Sequence, residues 1–270
     1  MNGRVASKND PLPLGARVSF PVPGARQAVA NSALALHVRF ENDHCVIVDK
    51  PAGQATAPLD GSESTTLANA LLARYPAMQG VGPNPLEPGL IHRLDNGTSG
   101  LLVAARSERA FDTLKRALLH GQIEKEYVAV VTDHDLPEQG SVEAPLHSSP
   151  HNARRVIVAT PGARGARLAT THYHVVERAP PFAVVQAKAA RASRHQIRVH
   201  LASVGCPLVN DELYGGLRRQ TLAVGRHALH ARRVAWVGNV TMPAFDVVAE
   251  LPADLLTLLR ELGFSRALSL

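Results

Sequence analysis

Asp95 is the side chain whose surroundings are best suited to chemistry. It stands two residues after Arg93, opens the run Asn96-Gly97-Thr98-Ser99-Gly100, and is followed by Leu101-Leu102-Val103-Ala104-Ala105. That last run has the length and apolar content of a buried strand. Asn-Gly and Ser-Gly supply turn chemistry, and a strand behind such a turn holds a carboxylate on a rigid loop. An aspartate ahead of Asn-Gly is, taken alone, more often a turn residue capping its own loop. Taken alone, the spacing therefore leaves catalysis and architecture both open.

Other constellations point away from common chemistries. His195 and His200 are five residues apart and lack the H-E-x-x-H arrangement of a zinc site. His172 and His174 can share a strand face, with no third ligand evident. Gly97 and Gly100 are not followed by Gly-Lys-Ser/Thr, so they form no phosphate loop. Ser99 lacks the G-x-S-x-G elbow of a hydrolase. Cys45 and Cys206 form neither a metal-ligand pattern nor a disulfide framework, which reads as two reduced cysteines in a cytoplasmic protein.

The elements that must carry Asp95 can be read on both sides of it. Cys45-Val46-Ile47-Val48-Asp49 is a strand stopped by Lys50-Pro51-Ala52-Gly53. Thr65-Thr66-Leu67 opens a short helix with Leu67, Ala70 and Leu71 on one side, ending near Tyr75-Pro76. Ser107 caps a helix bearing Ala110, Phe111, Leu114 and Leu118, with Gly121 as its stop. Strands are expected at 124–131, 155–159, 170–177 and 182–188. A helix starting near His195 would bury Ile197, Leu201 and Val204, and if it reached further back would gather Arg191, Arg194 and Arg198 near one face. Leu255, Leu256, Leu258, Leu259 and Leu262 mark a terminal core helix. Residues 1–35, rich in proline and glycine breakers, read as an arm that packs partly on the domain or stays mobile, and 36–270 as the main domain.

Composition sets the partner class. Hydrophobic residues make up 45% of the 270 and aromatics only 4%, so aliphatic side chains must pack the core. No apolar run approaches a membrane span, and no signal-peptide core follows the N-terminus. Between His151 and His200 lie nine Lys and Arg against one acid, Glu177, while the whole chain carries +6. A basic region rich in arginine on an otherwise balanced chain is the footprint expected for a polyanion.

The tract His92-Arg93-Leu94-Asp95-x-x-Thr98-Ser99-Gly100 resembles the active-site motif H-R-L-D-x-x-T-S-G of the RluA-type pseudouridine synthases. Further segments resemble that family in its order: Lys50-Pro51-x-Gly53, Lys125-x-Tyr127-x-Ala129, His195-Gln196-Ile197-Arg198-x-His200-Leu201, Asp211-x-x-Tyr214-Gly215 and Leu229-His230-Ala231. The resemblance implies an α+β fold built on a mixed, largely antiparallel sheet flanked by helices. It also implies isomerisation of uridine to pseudouridine in ribosomal or transfer RNA, with the base flipped out of the stack.

By the same resemblance Asp95 is the essential carboxylate and Arg198 its counter-charge. Tyr127 lies against the uracil and helps remove the proton from carbon 5. Arg93 pushes into the RNA at the flipped site, and His92 is a framework neighbour. Arg191, Arg194, His195 and Gln196 are expected to contact RNA. No cofactor, metal or membrane is implied; the partner is RNA, and the chain is expected to act as a cytoplasmic monomer. Where the family carries T-G-R-T, this chain reads Arg191-Ala192-Ser193-Arg194, and Asn210 replaces the family glycine before Asp211. These departures bear on the RNA target. Two other classes stay in view: an RNA-binding or chaperone protein on the same fold without catalysis, and a glycoside-cleaving enzyme pairing Asp95 with a second acid.

Overall fold

Strands Val38–Glu41 (β1) and Cys45–Lys50 (β2) pair antiparallel, and β2 pairs in turn with Ser99–Ala105 (β3), placing Lys50 opposite Gly100. Between β2 and β3 lies helix α1, Leu67–Arg74, with Thr66 at its N-cap donating its backbone N–H and hydroxyl to Asn69 Oδ1. The computed structural model describes residues 11, 14–17, 27–160, 162–190, 193–216 and 224–269. Helix α2, Glu108–Leu119, starts at Ser107, whose hydroxyl accepts the Ala110 N–H. The chain continues through Glu124–Thr132 (β4), Gln139–Ser148 (β5), Val156–Val158 (β6), Arg167–Ala179 (β7) and Phe182–Lys188 (β8). It ends with Gln196–Ser203 (α3), Leu229–Trp236 (β9), Phe245–Val248 (β10) and Ala253–Glu261 (α4).

The strands join one sheet in the order β1-β2-β3-β9-β4-β8-β7-β5-β6, with β10 on β9. Every pairing is antiparallel except β3 with β9, so the sheet is mixed and largely antiparallel, as expected. Both faces are covered. Val46, Val48, Leu102, Ala129 and Ala231 pack with Leu67 and Leu71 of α1 and Ile197 and Leu201 of α3. On the other face, Ile47, Leu101 and Val103 meet Phe111 and Leu114 of α2, and Val128, Val130 and Val184 meet Leu255, Leu258 and Leu259 of α4. Strands sandwiched this way read as continuous apolar runs, which is why β3 is legible in the sequence.

Several expectations need correction. Helix α3 begins at Gln196, and His195 before it sits in the left-handed region at φ 57°, so the helix never reaches back to Arg194. Val204 is exposed rather than buried, because the helix stops at Ser203 and the buried Cys206 takes the inward position. Leu256 and Leu262 are only partly buried. The alternating, half-solvated β5, the short β1 and β10, and β9, whose apolar residues are broken by Arg232 and Arg233, were not expected as strands. No correction falls on the described end of residues 1–35, where Ala28 is buried and donates to the Pro85 carbonyl and Asn31 reaches the Ser64 carbonyl. Among the described residues no helix is long and apolar enough to cross a membrane.

Candidate active site

The turn that carries Asp95 is pinned residue by residue. The ammonium of buried Lys50 donates to the carbonyls of Pro51 (2.9 Å), Gln54 (2.8 Å) and Asn96 (3.3 Å). Gly53 N–H meets the same Asn96 carbonyl at 2.7 Å, and Thr98 N–H closes the turn on the Asp95 carbonyl at 3.0 Å. Thr56 Oγ1 donates to Leu94 O (2.8 Å) and accepts Leu94 N–H (3.2 Å). Arg226 donates to the Gly97 carbonyl and Ser99 hydroxyl while its Nε holds Asp254 Oδ2 at 2.8 Å, tying the turn to α4. Burial, reinforced by Arg226, pulls the Lys50 ammonium down to about 8, while the charge of Asp95 works the other way.

Two glycines in the turn are there for room. A Cβ on Gly100 would fall 2.2 Å from the Ala231 carbonyl oxygen, where β3 meets β9, and its φ is +112°. A Cβ on Gly97 would fall 2.8 Å from the ring of His227, whose Nε2 meets the Thr98 hydroxyl at 2.8 Å. Burial, with Arg198 and Arg226 nearby, drives His227 down to about 2, so its imidazole is neutral.

Helix α3 brings the counter-charge. Arg198 Nη1 donates to Asp95 Oδ2 at 2.9 Å, while its Nε and Nη2 hold Asp211 Oδ2 and Oδ1 at 2.7 and 2.8 Å. The Asp211 side chain is 1% exposed, that of Arg198 7% and that of Asp95 21%, so only Asp95 opens to solvent. Burial opposes the guanidinium charge, but the bonds and charge of Asp211, joined by Asp95, raise its pKa above the ordinary value. Tyr214 lies under the guanidinium at 5.0 Å from ring centre to Cζ. Tyr127 of β4 is buried on the α3 face of the sheet. Burial, and then the charge of Asp95, push its phenol up, so it stays protonated and presents a ring face and an O–H.

The structure thus brings together Asp95, Arg198, Tyr127 and His195, the last with Nε2 3.6 Å from Asp95 Oδ1. The other expected RNA-contacting residues are dispersed. Arg93 is exposed and paired with Glu87 at 2.8 Å. Arg194 is exposed and donates to the Ala153 carbonyl. Gln196 is buried, its amide spent on Thr170 O (2.9 Å), Thr171 Oγ1 (3.1 Å) and Ser193 N–H (2.9 Å), so it fastens α3 to β7. Arg191 lies outside the described residues. His92 Nε2 accepts Val103 N–H at 3.1 Å, a framework contact.

Asp211, Tyr214, Lys50, His227 and Arg226 were not assigned roles from the sequence. Asp211-x-x-Tyr214 was visible only as a motif match; what it lacked was a partner, and Arg198 is that partner across the helix end. Asn210, where the family motif has glycine, sits in the left-handed region at φ 58°, a conformation asparagine tolerates.

The family model described as RNA pseudouridylate synthase matches residues 44–203. Ribosomal large subunit pseudouridine synthase D of Zymomonas mobilis is 34% identical over 237 residues, spanning 85% of this chain and 74% of that relative. The uncharacterised RNA pseudouridine synthase YlyB of Bacillus subtilis is 30% identical over 263 residues, spanning 97% and 84%. Among solved structures, human RNA pseudouridylate synthase domain containing 4 superposes with a TM-score of 0.64 at 21% identity, covering 84% of this chain and 92% of the human one. Human domain containing 1 gives 0.63 at 22%, covering 81% and 84%, and the two share this fold. The chain belongs to the RNA pseudouridylate synthase family, of the RluA type, and is an isomerase that converts uridine in RNA to pseudouridine.

Proposed function

We propose that this chain modifies ribosomal RNA of the large subunit, with Asp95 as the reacting carboxylate, Arg198 as its counter-charge and Tyr127 as the ring against the flipped uracil. The observation that carries the reading is the pairing of Asp95 with Arg198, anchored from behind by Asp211, on the only side of that triad open to solvent. The reaction breaks the N-glycosidic bond, turns the base, and rejoins it through carbon 5. Substrate and product hold the same atoms, so no cofactor is needed. Flipping the nucleotide costs roughly a few kcal/mol, offset by phosphate contacts from Arg93, Arg194, Arg191 and the exposed arginines Arg154, Arg155, Arg164 and Arg167.

The choice of ribosomal over transfer RNA is supported by the names of the relatives from Zymomonas mobilis and Xylella fastidiosa, both large-subunit synthases. We place the enzyme in the cytoplasm with that RNA, acting as a monomer through residues 36–270, with 1–35 as an arm. Mapping pseudouridines in total RNA from cells with and without the chain tests the target. Sites should vanish from large-subunit RNA in its absence and return with the wild-type chain but not with Asp95→Asn. Restoration by Asp95→Asn would remove Asp95 from the chemistry, and loss confined to transfer RNA would reassign the substrate.

A further inference from the structure

The two oxygens of Asp95 are treated unequally. Oδ2 takes the Arg198 bond, whereas Oδ1 faces His195 Nε2 at 3.6 Å. His195 adopts a left-handed backbone conformation immediately ahead of α3, and its side chain is 13% exposed. Its second nitrogen, Nδ1, lies 2.7 Å from the Tyr214 hydroxyl, and the two rings meet edge-on with centres 5.7 Å apart. The same hydroxyl accepts the Val156 N–H at 2.9 Å.

A phenol hydroxyl carries one proton and two lone pairs. With one lone pair taken by Val156, Tyr214 has its proton to give to Nδ1, which leaves the imidazole proton on Nε2, toward the carboxylate. The opposite tautomer would set a bare nitrogen lone pair against an anionic oxygen and leave the Tyr214 proton without Nδ1 as its acceptor. Around the ring stand Asp95 from its turn, Arg194 and Arg198 on either side of His195 in the chain, Asp211 and Tyr214 beyond α3, and His227 ahead of β9. Burial, together with Arg198 and Arg194, disfavours the imidazolium against the pull of Asp95 and Asp211.

We infer that Tyr214 holds His195 in its Nε2–H tautomer and that this N–H is a positioning donor for Oδ1 of Asp95, the carboxylate oxygen Arg198 leaves free. At 3.6 Å the pair is beyond hydrogen-bond length. Catalytic hydrogen bonds are often long in unliganded sites and tighten when substrate fills them. The inference rests on Asp95 being the reacting carboxylate.

Ring nitrogen NMR of His195, in protein labelled with nitrogen-15 at histidine, decides the tautomer without any substrate. The expected signature is a protonated Nε2 and bare Nδ1 in the wild type, drifting toward a tautomer mixture in Tyr214→Phe. A protonated Nδ1 or an imidazolium at neutral pH in the wild type overturns the assignment. Single-turnover isomerisation of ribosomal RNA from cells lacking the chain then tests the consequence. His195→Asn tolerates the left-handed backbone but stops short of Oδ1, so its rate should fall about 100-fold with RNA affinity nearly unchanged. His195→Gln reaches further and should recover at least several-fold. Equal rates in His195→Asn and wild type, or a loss lying wholly in affinity, sinks the positioning role. An active Asp95→Asn would instead refute the reading beneath it and leave the tautomer result standing.

Discussion

Asp211 grips Arg198 with both carboxylate oxygens, at 2.7 and 2.8 Å, and so leaves one guanidinium nitrogen to reach Asp95. The buried member of the triad aims the cation at the solvent-facing one. Forked guanidinium-carboxylate geometry is directional enough to do this, where a lysine would be a point charge.

Asp211→Asn should therefore be costly twice over. Losing one charge of a buried pair lowers the unfolding free energy by about 3 kcal/mol, read by urea denaturation. Misaiming Arg198 should also slow single-turnover isomerisation by at least about 100-fold although Asp95 is intact. Arg198→Lys should share the rate loss. A variant with wild-type rate would show that the aim of Arg198 is set elsewhere.

Gly100→Ala puts a methyl group into the Ala231 backbone at a φ of +112°. Both strain and overlap act, and the expected loss is about 3 kcal/mol or more. Gly97→Ala meets only a histidine ring that can turn, and should lose less. Thermal melts of the two variants give the order, and an equal or reversed order would mean that the approach of β3 to β9 relaxes.

Acid sensitivity should trace in part to His227. Its folded pKa lies near 2, below the ordinary 6.5, so the unfolded chain binds a proton that the folded chain refuses. The stabilising difference is fully present above pH 6.5 and is lost as pH falls from there toward 2. Each such group contributes a slope of up to about 1.4 kcal/mol per pH unit. His227→Asn should flatten the unfolding free energy measured between pH 6 and pH 4 by about one proton. His230, pulled down to about 4 chiefly by burial, adds to the same trend and should remain in that variant.

Arg194→Ala should weaken RNA binding and reduce the slope of log affinity against log salt by about 1. Its side chain is exposed and donates to the Ala153 carbonyl, so folding stability should hardly move. An unchanged salt slope would turn this surface away from the RNA.

Legibility followed burial and locality. Strands covered on both faces, such as β2, β3, β4 and β8, announce themselves as apolar runs, and α1 and α2 carry their caps in plain view at Thr66 and Ser107. β5 is only half covered and contains Pro145, so its alternation is faint. Asp95, Arg198 and Tyr127 came from the family resemblance, because nothing local distinguishes Asp95 from a turn aspartate. The parts of Asp211, Lys50, His227 and Arg226 were hidden because each depends on a partner distant in the chain or on a carbonyl that no sequence pattern displays. Gln196 misled for the opposite reason: it sits in a motif beside functional residues, yet its amide faces inward.

Arg226 donates to the Gly97 carbonyl 129 residues behind it, and Arg198 reaches Asp95 across 103. On the ribosome, the loop that bears Asp95 leaves the exit tunnel long before the residues that aim and clamp it. The emerging chain is surrounded by RNA but has no assembled carboxylate site while it is being made. Asp95 meets Arg198, and its turn meets Arg226 and through it Asp254, only after those residues have followed it out, so the order of synthesis leaves this site among the later contacts to form.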